Sequence, residues 1–537
     1  MAEANGVSKA PSYGNTKYSV VQPRNGATKK REACKISLLK ILGVLVLIAL
    51  FLFALTGSVI LWCTDLFNSM VIENLVLKNN TQTFEWWQRP PVEPYMRVHV
   101  FNYTNMEAFM HGEKPKVQEV GPYTFRQKME KVNVVFDDNG TVSYREKIAF
   151  EFVPELSVSD GKDDRVTVLN MPLLSAISIM RNEGMMKRFI MASTIKALGS
   201  KPYLNLSAND FMWGYKEALT TLASVFQSIN VDPESLKLGI MEAESLALQR
   251  DGINPSTVTV ETGAREIDRL GIITRVNGKN RLDAWGDTDC SRMDGSDGTM
   301  FPPRLVQRKE RLHLFNKDMC RRLPLEFKKE VEIKGGIPAY RYGPPDNVFG
   351  APDTNPDNKC FCPGGEKLTE DCPLGGVFSV GPCTFGAPVL VSFPHFYLGD
   401  DALFKNVEGL QPNETKHAMY LNLHPKLGIP MGGQSRFQFN IQIHKTDSLS
   451  LDDFLIEDSI LPIVWFEIGV DELPPELQDV FYRATFTTLS YEMALKYGLL
   501  AITIVALLIL LRCACRRFVT QRNQPVDRSD KLVMEPL

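Results

Sequence analysis

Two stretches of this chain cannot be read as ordinary soluble structure. Ile41 to Thr64 contains no charged side chain. Roughly 20 apolar residues cross a hydrocarbon core of about 30 Å, so this run is long enough. A cleaved signal peptide has an apolar run of only about 7–15 residues and sits nearer the start. A buried core helix is the alternative, and it is disfavoured by so long a charge-free run. The second stretch runs from about Ala494 to Leu511 and is charge-free from Tyr497 onward. Lys496 lies one turn outside, where its stem can snorkel to the interface. Arg512, Arg516 and Arg517 close it. The expected division is a tail at 1–37, spans at 38–63 and 494–511, an ectodomain at 64–493 and a second tail at 512–537.

Flanking charge orients the spans. Residues 1–40 carry +6 and residues 512–537 carry +3, which leaves −12 on the middle of a chain whose net charge is −3. Both tails are therefore expected in the cytoplasm, against anionic lipid, with the acidic middle outside the plasma membrane. The five Asn-x-Ser/Thr sites, Asn79, Asn102, Asn139, Asn205 and Asn413, all fall between the spans and are candidate N-glycosylation sites. The tails are polar and read as disordered. No basic surplus supports nucleic-acid binding.

The ten cysteines sort by compartment. Cys34, Cys63, Cys513 and Cys515 lie near the spans. Cys513 and Cys515 adjoin the basic cluster and suit S-palmitoylation, with two unmodified thiols as the alternative. Cys290, Cys320, Cys360, Cys362, Cys372 and Cys383 occupy a loop-rich exterior stretch, 290–383. Six thiols in an oxidising compartment predict three disulfides, with fifteen pairings open. Paired C-x2-C knuckles for zinc are absent.

Between the spans, strand patterns dominate. Val132–Phe136 and Thr141–Phe152 flank Asp138-Asn139-Gly140, a hairpin turn. Ile272–Val276 and a segment from Arg281 flank Asn277-Gly278, which predicts another. Phe437, Phe439, Ile441 and Ile443 alternate with Gln438, Asn440 and Gln442, the pattern of a half-buried antiparallel strand. Helical spacing marks Pro172–Arg181, Gly184–Leu198 and Ala208–Ile229, the last capped by Ser207 or Asn209. The helices at 170–230 carry a basic island, Arg181, Lys187, Arg188, Lys196 and Lys201 against Glu183. It reads either as a solvated face or as a patch that attracts anions.

Catalytic motifs are missing. There is no G-x-S-x-G elbow, no H-E-x-x-H and no P-loop. The seven histidines, His99, His111, His313, His395, His417, His424 and His444, show no metal-pair spacing and read as structural or surface residues. Asp287, Asp289, Asp294 and Asp297 lack calcium-loop register and read as turns. No enzyme activity and no cofactor are expected.

Several motifs together carry a resemblance. They are Gly121-Pro122-Tyr123-Thr124-Phe125-Arg126, Trp285-Gly286 leading to Cys290, Phe301-Pro302-Pro303 and Asp318-Met319-Cys320-Arg321. Asn355-Pro356-Asp357-Asn358-Lys359-Cys360-Phe361-Cys362 and Pro394-His395-Phe396 follow. With the two terminal spans, the chain over essentially its whole length resembles the class B scavenger receptors, also called the fatty-acid-translocase and platelet glycoprotein IV family. The resemblance implies an α+β fold, a large antiparallel β-barrel-like ectodomain with a lipid tunnel and a helical apex bundle, flanked by two transmembrane helices. It implies the pairs Cys290–Cys360, Cys320–Cys383 and Cys362–Cys372.

It also implies a cell-surface receptor that takes lipoproteins or anionic particles at the apex and passes lipid to the membrane. The expected lipids are fatty acids, sterols, sterol esters or carotenoids, and a homo-oligomer is compatible with the family. Lys187, Arg188, Lys196 and Lys201 become the candidate ligand-attracting residues. Some fatty-acid-binding members carry a Lys just after the last cysteine, inside the cavity. Thr384 stands there in this chain, which favours neutral lipids. The alternatives are a lysosomal or endosomal trafficking receptor of the same family, or a phagocytic or adhesion receptor without lipid transfer. The tail lacks the acid of the lysosomal member's dileucine signal, with Arg528 standing four residues before Leu532.

Overall fold

The computed structural model describes residues 26–180, 183–215, 240–241, 252–362, 374–384, 386–444, 458–471 and 473–522. It divides into two units, one formed by residues 1–66 and 491–537 and the other by residues 67–490. The helices used below are α1 (Gly26–Cys63), α2 (Leu66–Glu73), α3 (Met171–Met180), α4 (Met185–Leu198), α5 (Ala208–Trp213), α6 (Glu414–His417), α7 (Pro475–Tyr482) and α8 (Thr488–Arg522).

In the first unit, α1 and α8 are long and apolar enough to cross a membrane. Most of their large side chains are exposed, as a lipid-facing helix requires. Where they meet, most of the buried residues are small. Ala54, Ser58 and Leu61 are buried on α1, and Thr503 and Ala506 on α8. A Cβ on Gly57 would lie 3.0 Å from Leu499 Cδ1, so glycine there permits the close approach. Trp62 packs edge-on against Tyr497, with ring centroids 5.8 Å apart.

The second unit is built on antiparallel strands. They are β1 (Tyr95–Tyr103), β2 (Val117–Asp137), β3 (Thr141–Phe152), β4 (Arg165–Leu169), β5 (Tyr203–Ser207), β6 (Ile253–Glu261), β7 (Ile273–Val276), β8 (Leu312–Asn316), β9 (Arg321–Ile333), β10 (Ile337–Gly343), β11 (Val377–Ser379), β12 (Val389–Ser392), β13 (Tyr420–Leu423), β14 (Pro430–Ile443) and β15 (Ser459–Val470). One sheet takes all but β4 and β5. Its order is β7-β6-β3-β2-β1-β15-β14-β13-β10-β9-β8, and β12 also pairs with β14.

The two edges, β7 and β8, are joined by a single crossing segment. Ile273 N–H donates to Gly295 O at 2.9 Å, Ser296 N–H to His313 O at 2.8 Å, and Phe315 N–H to Ser296 O at 2.8 Å. Gly295 is required here, since a Cβ would stand 2.9 Å from Phe315 N and 3.1 Å from His313 O. The sheet is thereby a nearly closed barrel, and its exposed edges are removed.

The Asn139-Gly140 hairpin forms as expected. β2 and β3 pair from Phe125 with Phe152 to Asp137 with Thr141, and Gly140 takes the positive φ the turn needs. Asn277 and Gly278 also turn left-handed. The return strand from Arg281 is corrected, however. β7 pairs with β6 instead, and only isolated bridges follow the turn. The segment has a stronger partner in the β6 edge than in its own sequel.

β14 forms the expected antiparallel strand, with Ile441 and Ile443 buried and Gln442 less so, but the reading of its first half is corrected. Gln438 and Asn440, expected to face water, are fully buried, while Phe437 and Phe439 are only partly so. The register shifts between Phe439 and Asn440, so the buried face changes from the amides to Ile441 and Ile443 there. Ser207 caps α5, accepting from Asp210 N–H at 3.0 Å. That helix is described to Trp213, and the rest of the expected helix at 208–229 lies outside the described residues.

Candidate functional site

The ribbon β4–β5 brackets the helical region. α3 buries Leu173, Leu174 and Ile177 in the same core as β1, β2, β14 and β15. α4 inserts Ile195, with Met191 and Ala192 partly buried beside it, and ends on Gly199 in the left-handed conformation that closes a helix. Its opposite face is unusual. Met185, Met186, Phe189 and Ile190 are 81, 73, 68 and 57% exposed. Four large apolar side chains on one exposed face depart from the usual surface, where such residues occur singly.

The basic residues frame that face. Lys187 is exposed and pairs with Glu183 at 2.7 Å. Arg188 is half-buried, and Lys196 is exposed in the last turn of α4, where a cation suits the helix dipole. Lys201 is exposed, its ammonium 5.8 Å from the centre of the Tyr203 ring. At about 1.5 Å per residue, Lys187 and Lys196 are roughly 13 Å apart along the helix. The island is therefore a border around apolar surface. Arg181 lies outside the described residues.

The other sequence candidates are dispersed. Thr384 is half-buried, and its hydroxyl donates to Val380 O at 3.1 Å, back onto its own chain. Cys290 is bonded to Cys360 and Cys320 to Cys383. Cys362 is disulfide-bonded, and Cys372 lies outside the described residues. Cys513 and Cys515 are exposed free thiols. Asn79, Asn139, Asn205 and Asn413 are exposed and Asn102 is half-buried. Asn102 Oδ1 accepts from Thr167 N–H, and Asn205 Nδ2 donates to Thr167 Oγ1.

A second constellation was invisible in the sequence. The Glu119 carboxylate on β2 accepts from His99 Nδ1 on β1 at 2.8 Å, from His395 Nε2 at 2.7 Å and from Trp465 Nε1 on β15 at 3.2 Å. The carboxylate is about a third exposed; its partial burial alone would raise its pKa, but the hydrogen bonds from His395 and His99 outweigh that and hold it well below the usual carboxylate range. The tautomer of His395 follows, because its Nδ1 accepts from Gln411 N–H at 3.1 Å. His395 stacks on His417 with centroids 4.6 Å apart, and His99 on Trp465 at 3.8 Å. Burial, reinforced by the neighbouring His395, pushes His417 down to about 4.

The network continues inward. His395 N–H donates to Gln438 Oε1 at 2.6 Å, Gln438 Nε2 to Asn440 Oδ1 at 2.7 Å, and Asn440 Nδ2 to Ser392 Oγ at 3.0 Å. His395, Phe396 and Leu398 all have positive φ. Such a backbone persists only where its surroundings over-determine it, and these bonds do so. Among the described residues no group of three or more His, Cys, Asp or Glu side chains converges as metal ligands do.

Comparison with known proteins agrees with this architecture. The profile of the CD36 family matches residues 45–514. Scavenger receptor class B member 1 of Bos taurus is 30% identical over 459 residues, covering 85% of this chain and 86% of its own. Lysosome membrane protein 2 of Homo sapiens is 33% identical over 429 residues, covering 78% of this chain and 84% of its own.

Proposed function

The chain belongs to the CD36 family, and from that premise we propose that it is a cell-surface scavenger receptor that binds lipid-rich particles and transfers their lipid to the membrane. The observation that carries the reading is the outward face of α4. Met185, Met186, Phe189 and Ile190 offer apolar contact, and Lys187, Lys196 and Lys201 border it with positive charge. A lipoprotein or other anionic lipid particle presents the complementary surface, apolar patches among anionic groups. Fatty acids, sterols, sterol esters or carotenoids then pass through the interior of the barrel. Each CH2 exposed to water costs about 0.8 kcal/mol, so a protein-lined path removes most of the barrier and needs no catalytic group.

In this reading both tails lie in the cytoplasm, the sequons lie outside, and Cys513 and Cys515 lie where palmitate can be added. Residence at the plasma membrane rests on the missing acidic dileucine signal. The similarity to lysosome membrane protein 2 supports a second reading, residence in endosomes or lysosomes. Mass spectrometry of lipids that co-purify with the full chain tests the transfer reading. Stoichiometric apolar lipid is expected. A lipid-free protein that still captures particles would leave an adhesion or phagocytic receptor without transfer.

A further inference from the structure

A cleft of about 1120 Å³ lies away from α4, between strands β8 and β9 and the disulfide-bonded segment 345–362. Its basic lining is Arg292, Arg311, Arg321, Arg322, His313 and Lys359. Most of these charges already have partners. Arg292 and Arg322 share Asp294, the latter at 2.8 Å, and Arg311 pairs with Glu326. Asp287, also in the lining, pairs with Arg281 at 3.4 Å. Asp289 and Asp357 are the remaining acids of the wall.

Arg321 is the exception. It is 3% exposed. Both of its hydrogen bonds come from Nη2 and go to neutral acceptors, Val348 O at 2.7 Å and Asn358 Oδ1 at 2.6 Å. Its Nε is buried and has no acceptor among the described residues. The guanidinium packs on the rings of Phe361 and Phe378, 4.2 and 4.5 Å from their centroids. Ring faces compensate a cation only in part. A buried charge without a counter-ion is expensive, and burial accordingly drives Arg321 down to about 9. It is still a cation at neutral pH.

Burial first, and then Arg322, Arg311 and Arg292, push His313 down to about 4. The wall thus holds one neutral imidazole beside guanidinium groups, and one guanidinium with no carboxylate partner among the described residues. Trp285, Pro324, Pro345, Phe361 and Pro382 add apolar surface to the same wall.

We propose that this cleft is an oxyanion site, in which the buried Arg321 guanidinium and Lys359 at the rim bind a phosphate group, either free or on a lipid headgroup. A guanidinium presents donors in a fixed fork that suits such oxygens, and the ring packing holds that fork in place. The apolar part of the wall would take the glycerol and proximal chain of a headgroup ligand. The site is separate in residues from the α4 face and does not depend on particle capture there.

The test uses the full chain in neutral detergent, with inorganic phosphate titrated against chloride at constant ionic strength. The thermal midpoint is expected to rise saturably with phosphate and not with chloride. Arg321→Lys keeps the charge but loses the fork, and should weaken phosphate about tenfold or more, the size of one charge-assisted bond. Lys359→Glu at the exposed rim leaves packing intact and should weaken it several-fold, so the test survives if Arg321→Lys fails to fold. A second arm offers phosphatidylcholine vesicles with or without phosphatidic acid. Binding that requires phosphatidic acid and is competed by phosphate assigns the headgroup, and phosphate binding alone assigns the free ion. The same midpoint in phosphate and chloride, or phosphate affinity unchanged in the folded variants, overturns the proposal.

Discussion

Two regions of the second unit invert the ordinary rule of burial in opposite ways. Around Glu119, itself open to solvent on one side, the polar partners His99, His395, Gln438 and Asn440 are inside, and on α4 the apolar side chains are outside. The first inversion is compensated within the chain. Three donors meet one carboxylate, and the chain of amides runs on through Gln438 and Asn440 to Ser392. The second has no compensation among the described contacts, since Met185, Met186, Phe189 and Ile190 stay exposed. A satisfied inversion is scaffold, and an unsatisfied one is surface kept for something else. The difference predicts that damage to the first region is read in stability and damage to the second in binding.

The largest effect should come from Glu119→Ala. It removes the acceptor shared by His99, His395 and Trp465; a buried donor left unsatisfied costs about 1–3 kcal/mol, and water reaching the vacated, solvent-open position offsets part of that for the three together. A loss of about 3 kcal/mol is expected in denaturant or thermal unfolding of the secreted second unit or the full chain. A change below about 1 kcal/mol would mean that the constellation is not a scaffold. Glu119→Gln should be milder, since the amide oxygen still accepts from one donor.

Acid provides the next perturbation. His417, and His424 buried against Phe481 and bonded to Thr485, are both held near 4, chiefly by burial, below the unfolded 6.5. A histidine whose folded pKa is depressed leaves the unfolded chain binding more protons between those values. Stability should therefore fall as pH drops from about 6.5 toward 4, by roughly 1–2 kcal/mol for each histidine at pH 5. Glu119 acts only lower down. Its stabilisation is complete above the unfolded 4.5 and is lost as pH falls below that. Replacing His417 or His424 with Gln should flatten the slope between pH 6.5 and 5, while α4 variants should leave it as steep as in the native chain. Ser207→Ala removes the cap of α5 and should cost about 1 kcal/mol.

What could be read from the sequence was local. The apolar runs of α1 and α8, the Asn139-Gly140 turn, the Ser207 cap and the helical spacing of α4 each depend on neighbours a few residues apart. The motifs behind the resemblance implied the barrel and the pairs Cys290–Cys360 and Cys320–Cys383, which no spacing rule could choose among fifteen. The Glu119 constellation joins residues separated in sequence by 20, 276 and 346 positions. Its histidines looked like isolated structural residues, and Gln438 and Asn440 looked like the wet side of a strand. Barrel closure through Gly295 and Ser296 is hidden for the same reason. On α4 the sequence shows the basic island, but which apolar side chains stay exposed depends on how the helix packs.

The most direct measurement compares particle binding and stability in one variant of α4. Met186→Ser with Phe189→Ser removes apolar surface that is mostly exposed, so the unfolding free energy should change by no more than about 0.5 kcal/mol. Binding and lipid uptake from anionic lipid particles, at matched surface expression, should fall severalfold. If binding and uptake are unchanged, the outward face of α4 is not where ligand docks, and the central assignment is wrong.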